Sequence, residues 1–296
     1  MSEPDLKQGR EIIDRLLEQD LESFRNSEAV RHVIKNGKRL RPLIVSSIGG
    51  GRGSSASCFT LAVEYIHNAS LIIDDLPCMD NDTTRRGEKT LHTLYNEQTA
   101  ILTAINMQIR GMMNLIEGFK RAEPLYSVAD YRQLSDILKD KIIAKIGADG
   151  LCYGQHMDLA INADIMKKSK RIQKETIIRL CELKTGCLFA ISFILGWISI
   201  GGAILAIPDI EQAGYAFGLC YQLIDDIVDY KEDKRKTGGY NNLCRYYTHN
   251  ELVDLFMEKI TLFVKVMTKY KLWDRIMTEL YQFLISQFES GMSSHA

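Results

Sequence analysis

The 296-residue chain has only five Pro and two Trp, its aromatic share is 8%, and its 37 basic residues are almost cancelled by 38 acidic ones. Each shortage excludes something. A net charge of −1 rules out a general polyanion binder, and with it a nucleic-acid partner, so any phosphate site has to be local. The seven Cys (58, 78, 152, 181, 187, 220 and 244) form no C-x-x-C pair and no zinc-finger spacing, which leaves them as small core residues in a reduced compartment. No apolar stretch reaches the roughly 20 residues of a transmembrane segment. The strongest candidate, 188–205, is broken by Gly196, Gly201 and Gly202. The first 21 residues are amphipathic and acidic, unlike a transit or signal peptide.

What the chain does have is apolar residues recurring at three-to-four spacing, with 46% hydrophobic content. Helices are predicted over 5–22, 25–36, 42–49, 55–75, 96–120, 128–146, 149–162, 173–199, 209–231, 249–269 and 272–289, and no strand. Breakers separate them at Gly49 to Gly53, Pro77, Pro124, Gly201-Gly202, Pro208 and Gly238-Gly239. No 20–50-residue period repeats and no polar linker divides the chain. The expected architecture is all-α, one large helical bundle over 1–296.

Two acidic clusters stand out. Asp74-Asp75-Leu76-Pro77-Cys78-Met79-Asp80 follows the apolar run Ser70 to Ile73 and leads into Arg85-Arg86-Gly87. Asp225-Asp226-Ile227-Val228-Asp229 follows Tyr221 to Ile224. Carboxylates set against apolar walls are costly without positive charge, and paired sets of this kind hold hard divalent cations. An adjacent Arg pair adds a grip for phosphate. Asp225 and Asp229 are four apart on a helix, and Gln222 lies three residues earlier on the same side. Pro77 breaks the first helix, so a loop can bring Asp80 back beside Asp74.

Lys38 and Arg41 are three apart in Gly37-Lys38-Arg39-Leu40-Arg41-Pro42, and suit either phosphate or a solvated helix face. Lys184, in Lys184-Thr185-Gly186, interrupts a long apolar helix, where an unpaired ammonium is expensive; an anion or carboxylate partner is expected. His67 lies two helical turns before Asp74 and is either a site residue or a hydrogen-bonded core histidine.

In this order, over about residues 30–245, these motifs resemble the trans-isoprenyl diphosphate synthases; Glu64-Tyr65-Ile66-His67, Gly154-Gln155-His156-Met157-Asp158 and Tyr221-Gln222 complete the set. The stretch Asp74 to Asp82 is similar to that of geranylgeranyl diphosphate synthases of the plant and bacterial type. The resemblance implies the isoprenoid synthase fold, a bundle with a central cavity, and a condensation of isopentenyl diphosphate with an allylic diphosphate (dimethylallyl, geranyl or farnesyl). It implies three Mg2+ ions, with Asp74 and Asp80 matching ligands of one pair and Asp225 the ligand of the third. Asp75, Asp226 and Asp229 match outer or water-mediated partners. Arg85, Lys184, Thr185, Gln222 and Lys236 match contacts to the allylic diphosphate; Lys38, Arg41, His67 and Arg86 match the isopentenyl diphosphate pocket. Relatives are homodimers through helices near the first motif, for which 96–119 suits, and the compartment is cytoplasmic, or plastidic if an upstream transit peptide has been removed.

The chain also departs from the family pattern. Where relatives read Gly-Lys-Thr-x-Gly-Lys-Asp after the second cluster, this chain reads Arg235-Lys236-Thr237-Gly238-Gly239-Tyr240-Asn241, with Tyr and Asn in place of Lys and Asp. Ala69 and Ser70, five and four residues before Asp74, are small, so no aromatic stop for a fifteen-carbon product stands there. Geranylgeranyl diphosphate is the expected product, with Met107, Met112 or Met113 as deeper stops or simply core filler. Two other readings are a non-catalytic subunit of a heteromeric synthase and a class I terpene cyclase; the second cluster lacks the Asn/Asp-x-x-Ser/Thr-x-x-x-Glu pattern of the latter.

Overall fold

A computed structural model describes residues 5–50, 54–161, 163–236 and 239–295, the side chains of 163, 236, 294 and 295 excepted. Helix dominates, as expected, in the order α1 Leu6–Asp20, α2 Ser27–Ile34, α3 Leu40–Ile48, α4 Ser54–Asp74, α5 Leu91–Leu94, α6 Glu97–Ala122, α7 Val128–Ile137, α8 Ala144–Ile146, α9 Leu151–Ala160, α10 Lys170–Cys181, α11 Cys187–Ser199, α12 Ile207–Lys236, α13 His249–Lys269 and α14 Arg275–His295. One expectation fails in detail. A two-stranded antiparallel ribbon, β1 Thr84–Arg85 with β2 Glu88–Lys89, follows the first acid cluster. Two residues per strand leave no alternation to read in a sequence. The predicted helices 128–146 and 173–199 are also interrupted, by π-helical turns at Leu138–Ile143 and Glu182–Gly186.

The chain divides into two compact units, one running to Ser127 and including Leu195–Gly202, the other made of Val128–Ile194 and the chain from Ala203 onward. The core of the first unit is the α4/α6 pair. Glu64 is the only charged residue in α4 before Asp74, and 14 of its 21 residues are buried. α4 is the one helix among the described residues with the length and hydropathy of a membrane span, but 72% of its apolar window is buried within the protein, as in a core helix. Glycines on α6 permit the contact. A Cβ at Gly111 would lie 2.7 Å from Ile66 Cγ1, and one at Gly118 would overlap the Phe59 ring. Phe59 packs edge-on against Phe119 with ring centroids 5.4 Å apart.

In the second unit α11 and α12 meet at backbone distance. A Cβ at Gly214 would run into the Ala190 backbone, and one at Gly218 would lie 2.9 Å from the Gly186 Cα. Phe189, Phe193, Phe217 and Phe263 fill the layer between α11, α12 and α13, all fully buried. Of the seven Cys, only 58, 181, 187 and 220 are buried; Cys78 and Cys152 are exposed, because their loop and helix faces point outward.

Candidate active site

In the first unit α4 ends at Asp74, three residues before Pro77. The chain then folds back: the Asp80 N–H donates to the Asp74 carbonyl (2.9 Å) and that of Asn81 to the Leu76 carbonyl (3.1 Å), with Asn81 left-handed (φ +55°). The proline break therefore returns Asp80 to Asp74. Asp74 is half-buried and Asp80 exposed. Asp75 is buried and ion-paired to Arg85 Nε at 2.6 Å. Burial raises the Asp75 carboxyl to about 6 against the pull of that guanidinium.

The ribbon turns on Arg86-Gly87, both left-handed (φ +55° and +79°), as a two-residue mirror-image hairpin turn requires. Arg86 Nη1 donates to Asn68 Oδ1 (3.1 Å) and to the Val33 carbonyl (3.4 Å). Arg41 Nη1 lies 3.4 Å from His67 Nε2. Burial, then Arg41 and Arg86, push the His67 pKa well below its ordinary value, so the ring is neutral and its Nε2 accepts from Arg41. Lys38 is exposed at the start of this stretch. Arg39, to which the sequence reading gave no role, is 6% exposed, and its Nη1 meets Glu64 Oε1 at 2.6 Å. A lone Glu in a 21-residue apolar helix was the available signal.

In the second unit Asp225 and Asp229 share a face of α12, half-buried and exposed respectively. Asp226 turns away from them. Its Oδ1 accepts from Gln222 Nε2 (2.7 Å) and its Oδ2 from the Leu243 N–H (2.7 Å), so it fastens the following loop. Burial lifts its carboxyl to about 7, with those two hydrogen bonds pulling the other way. Thr185 Oγ1 donates to Gln222 Oε1 (2.5 Å), tying two residues expected at the diphosphate to each other. The carboxylate partner expected for Lys184 is Asp158. A Cβ at Gly154 would lie 2.5 Å from the Lys184 N, so glycine lets α9 press on the π-helical turn and deliver Asp158 one helical turn later.

Asp158 Oδ1 also accepts from Asn241 Nδ2 (2.8 Å), which gives the departure from the family motif a local role. Tyr240, in place of lysine, lies under the Arg245 guanidinium at 4.4 Å. Asp158, Lys184, Thr185, Gln222, Asp226 and Asn241 line a cavity of about 120 Å³. Lys236 closes α12 with its side chain outside the described residues, as are Thr237 and Gly238. Of the deeper methionines, Met107 is buried and Met112 half-buried, whereas Met113 is 54% exposed and lines an open pocket with Arg110 and Asn114.

Among the described residues no three His, Cys, Asp or Glu side chains form a ready metal cage. Mg2+ takes one or two carboxylates and completes its octahedron with water and phosphate oxygens, so a site for it needs no three-residue cage.

Residues 25–242 match the family model for polyprenyl synthetase. The chain belongs to the polyprenyl synthetase family. Among similar proteins of this family, the Arabidopsis thaliana heterodimeric geranylgeranyl pyrophosphate synthase large subunit 2 is 32% identical over 278 residues, 90% of this chain and 70% of that one. The chloroplastic geranylgeranyl pyrophosphate synthase of Capsicum annuum is 31% identical over 235 residues, 77% of this chain and 60% of that one. The chain thus spans about 60 to 70% of the length of these curated relatives. An isoprenoid synthase family member from Thermotoga neapolitana superposes with a TM-score of 0.73 at 22% identity, covering 95% of this chain and 99% of that one. The Helicobacter pylori geranyltransferase complexed with magnesium and isoprenyl diphosphate does so at 0.67 and 24%, covering 98% of each. The fold is therefore that of the isoprenoid synthases, all-α as the sequence suggests.

Proposed function

We propose that this polyprenyl synthetase condenses isopentenyl diphosphate with an allylic diphosphate, with Mg2+, to give mainly geranylgeranyl diphosphate. The observation that carries the reading is that each acid cluster has a carboxylate-held cation near it, Arg85 on Asp75 and Asp82 after α4, and Lys184 on Asp158 at the cavity that Gln222 and Asp226 also line. Asp74 and Asp80 in the first unit and Asp225 in the second are the residues that would hold Mg2+, which would supply positive charge against the departing pyrophosphate. Arg85, held by Asp75, and Lys184, held by Asp158, are the cations that the first and the second unit each offer to diphosphate oxygens. Lys38, Arg41, neutral His67 and Arg86 take the isopentenyl diphosphate. The allylic C1–O bond breaks, the isopentenyl double bond closes on C1, and a proton is lost to released pyrophosphate.

Ala69 is 3% exposed and Ser70 half-buried on α4, which supports growth past fifteen carbons, with buried Met107 as a deeper limit. The expected assembly is a homodimer through the outer face of α6. Relatives named chloroplastic support the plastid alternative to a cytoplasmic location.

Incubation with Mg2+, labelled isopentenyl diphosphate and each allylic starter, with product length read out, tests the reaction. Chelation is expected to abolish turnover and Mg2+ to restore it. Asp74→Asn and Asp225→Asn are each expected to lower kcat by about a hundredfold or more. No incorporation with any starter supports the non-catalytic subunit instead, and a hydrocarbon released from an allylic diphosphate alone supports the cyclase.

A further inference from the structure

We propose that Asn68 is a positioning residue for isopentenyl diphosphate binding, because its amide joins Arg86 to the buried Arg39–Glu64 ion pair. The inference rests on the proposed function and adds to it a residue that has no role there. Asn68 is 0% exposed, and its Nδ2 donates to both the Glu64 carbonyl and Glu64 Oε1, each at 2.8 Å. With Nδ2 committed to Glu64, Oδ1 has only one way to face, and it accepts from Arg86 Nη1 at 3.1 Å. Glu64 Oε1 also takes Arg39 Nη1 at 2.6 Å, and Arg39 Nε reaches Asp14 at 2.9 Å. The result is a continuous chain of polar contacts, Asp14 to Arg39 to Glu64 to Asn68 to Arg86.

The backbone shows how firmly the two ends are held. Arg39 and Arg86 are both left-handed (φ +59° and +55°), a conformation that non-glycine residues rarely adopt. Their guanidinium groups converge over Gly37: an added Cβ there would overlap Arg39 Nη1 and lie 3.1 Å from Arg86 Nη1. Two cations brought this close repel, and Glu64 is the buried anion that answers them. Only a side chain that donates at one end and accepts at the other links that anion to Arg86 without adding charge. An aspartate would set a second carboxylate against Glu64, and an aliphatic residue would cut the link from Glu64 to Arg86 and remove the nearer of the two acceptors named for Arg86 Nη1.

Asn68→Ala is expected to raise KM and the calorimetric Kd for isopentenyl diphosphate by about tenfold, the scale of a hydrogen bond to a charged group. KM for the allylic diphosphate and kcat should stay within about twofold of the parent. Asn68→Ser, which keeps a small polar group, serves if the alanine variant does not fold, with thermal midpoints taken for both. In an Arg86→Met background the same substitution should add less than about twofold, because its effect runs through Arg86. An unchanged Kd for isopentenyl diphosphate, equal losses for both substrates, or an undiminished effect in the Arg86→Met background overturns the inference. A parent protein that binds and consumes no isopentenyl diphosphate overturns the proposed function, and this inference falls with it.

Discussion

Arg39 is a cation almost out of water, so most of its desolvation has to be recovered from Glu64, 1% exposed, and from Asp14 at the rim. Removing one partner leaves the other charge buried and alone. Glu64→Ala is expected to cost about 3–5 kcal/mol in urea unfolding, and replacing both ions together, Arg39→Met with Glu64→Leu, to recover most of that loss. A single-variant loss under about 1 kcal/mol would show that water reaches the pair. Gly37→Ala acts on the same point from outside, since the new methyl occupies the place of the Arg39 guanidinium. It is expected to weaken isopentenyl diphosphate binding and lower the melting temperature together, as read by calorimetry on one preparation.

At the scale of elements, helices are held at close approach by glycine. Gly118 faces Phe59, a ring with 0% exposure and Phe119 on its flank, so a methyl has nowhere to go. Gly118→Ala is expected to destabilise the protein by about 1–3 kcal/mol through overpacking, seen as a lower melting temperature with helix content retained. Helix ends contribute separately. The Thr248 hydroxyl and the Glu251 side chain form a reciprocal capping box at the start of α13, and Thr248→Ala is expected to cost about 0.5–2 kcal/mol. Both glycines were visible in the sequence, but nothing there says which neighbour they meet. The helices were legible because their apolar stripe is periodic. The π-helical turns were not, since one extra residue per turn leaves no compositional trace.

On the scale of the whole molecule, the outer face of α6 is unusual. Leu102, Ile105, Ile109, Met113 and Ile116 are 49–65% exposed, at helical spacing along one side. A continuous apolar face of this length belongs against another surface, and a second copy is the proposed occupant. Ile109→Glu is expected to halve the mass measured by light scattering at micromolar concentration without loss of helical circular dichroism. An unchanged mass would place the contact elsewhere. The two carboxylate sets belong to different compact units, so loss of activity from a substitution in either is the check that both serve the one reaction.

The sequence by itself determined the helical class, because spacing of three to four is imposed by helix geometry wherever one face is buried. It also determined the break after Asp74, because proline lacks an N–H and restricts the residue before it. Motif order marked the residues proposed to carry the chemistry. Only the tertiary structure decided what those residues touch. Asp226 serves a loop backbone 17 positions later, Lys184 is answered by Asp158 from 26 positions earlier, and Arg86 is reached from Asn68 across 18. Partnership across such distances depends on which faces pack together, and a periodic pattern names the face without naming the neighbour.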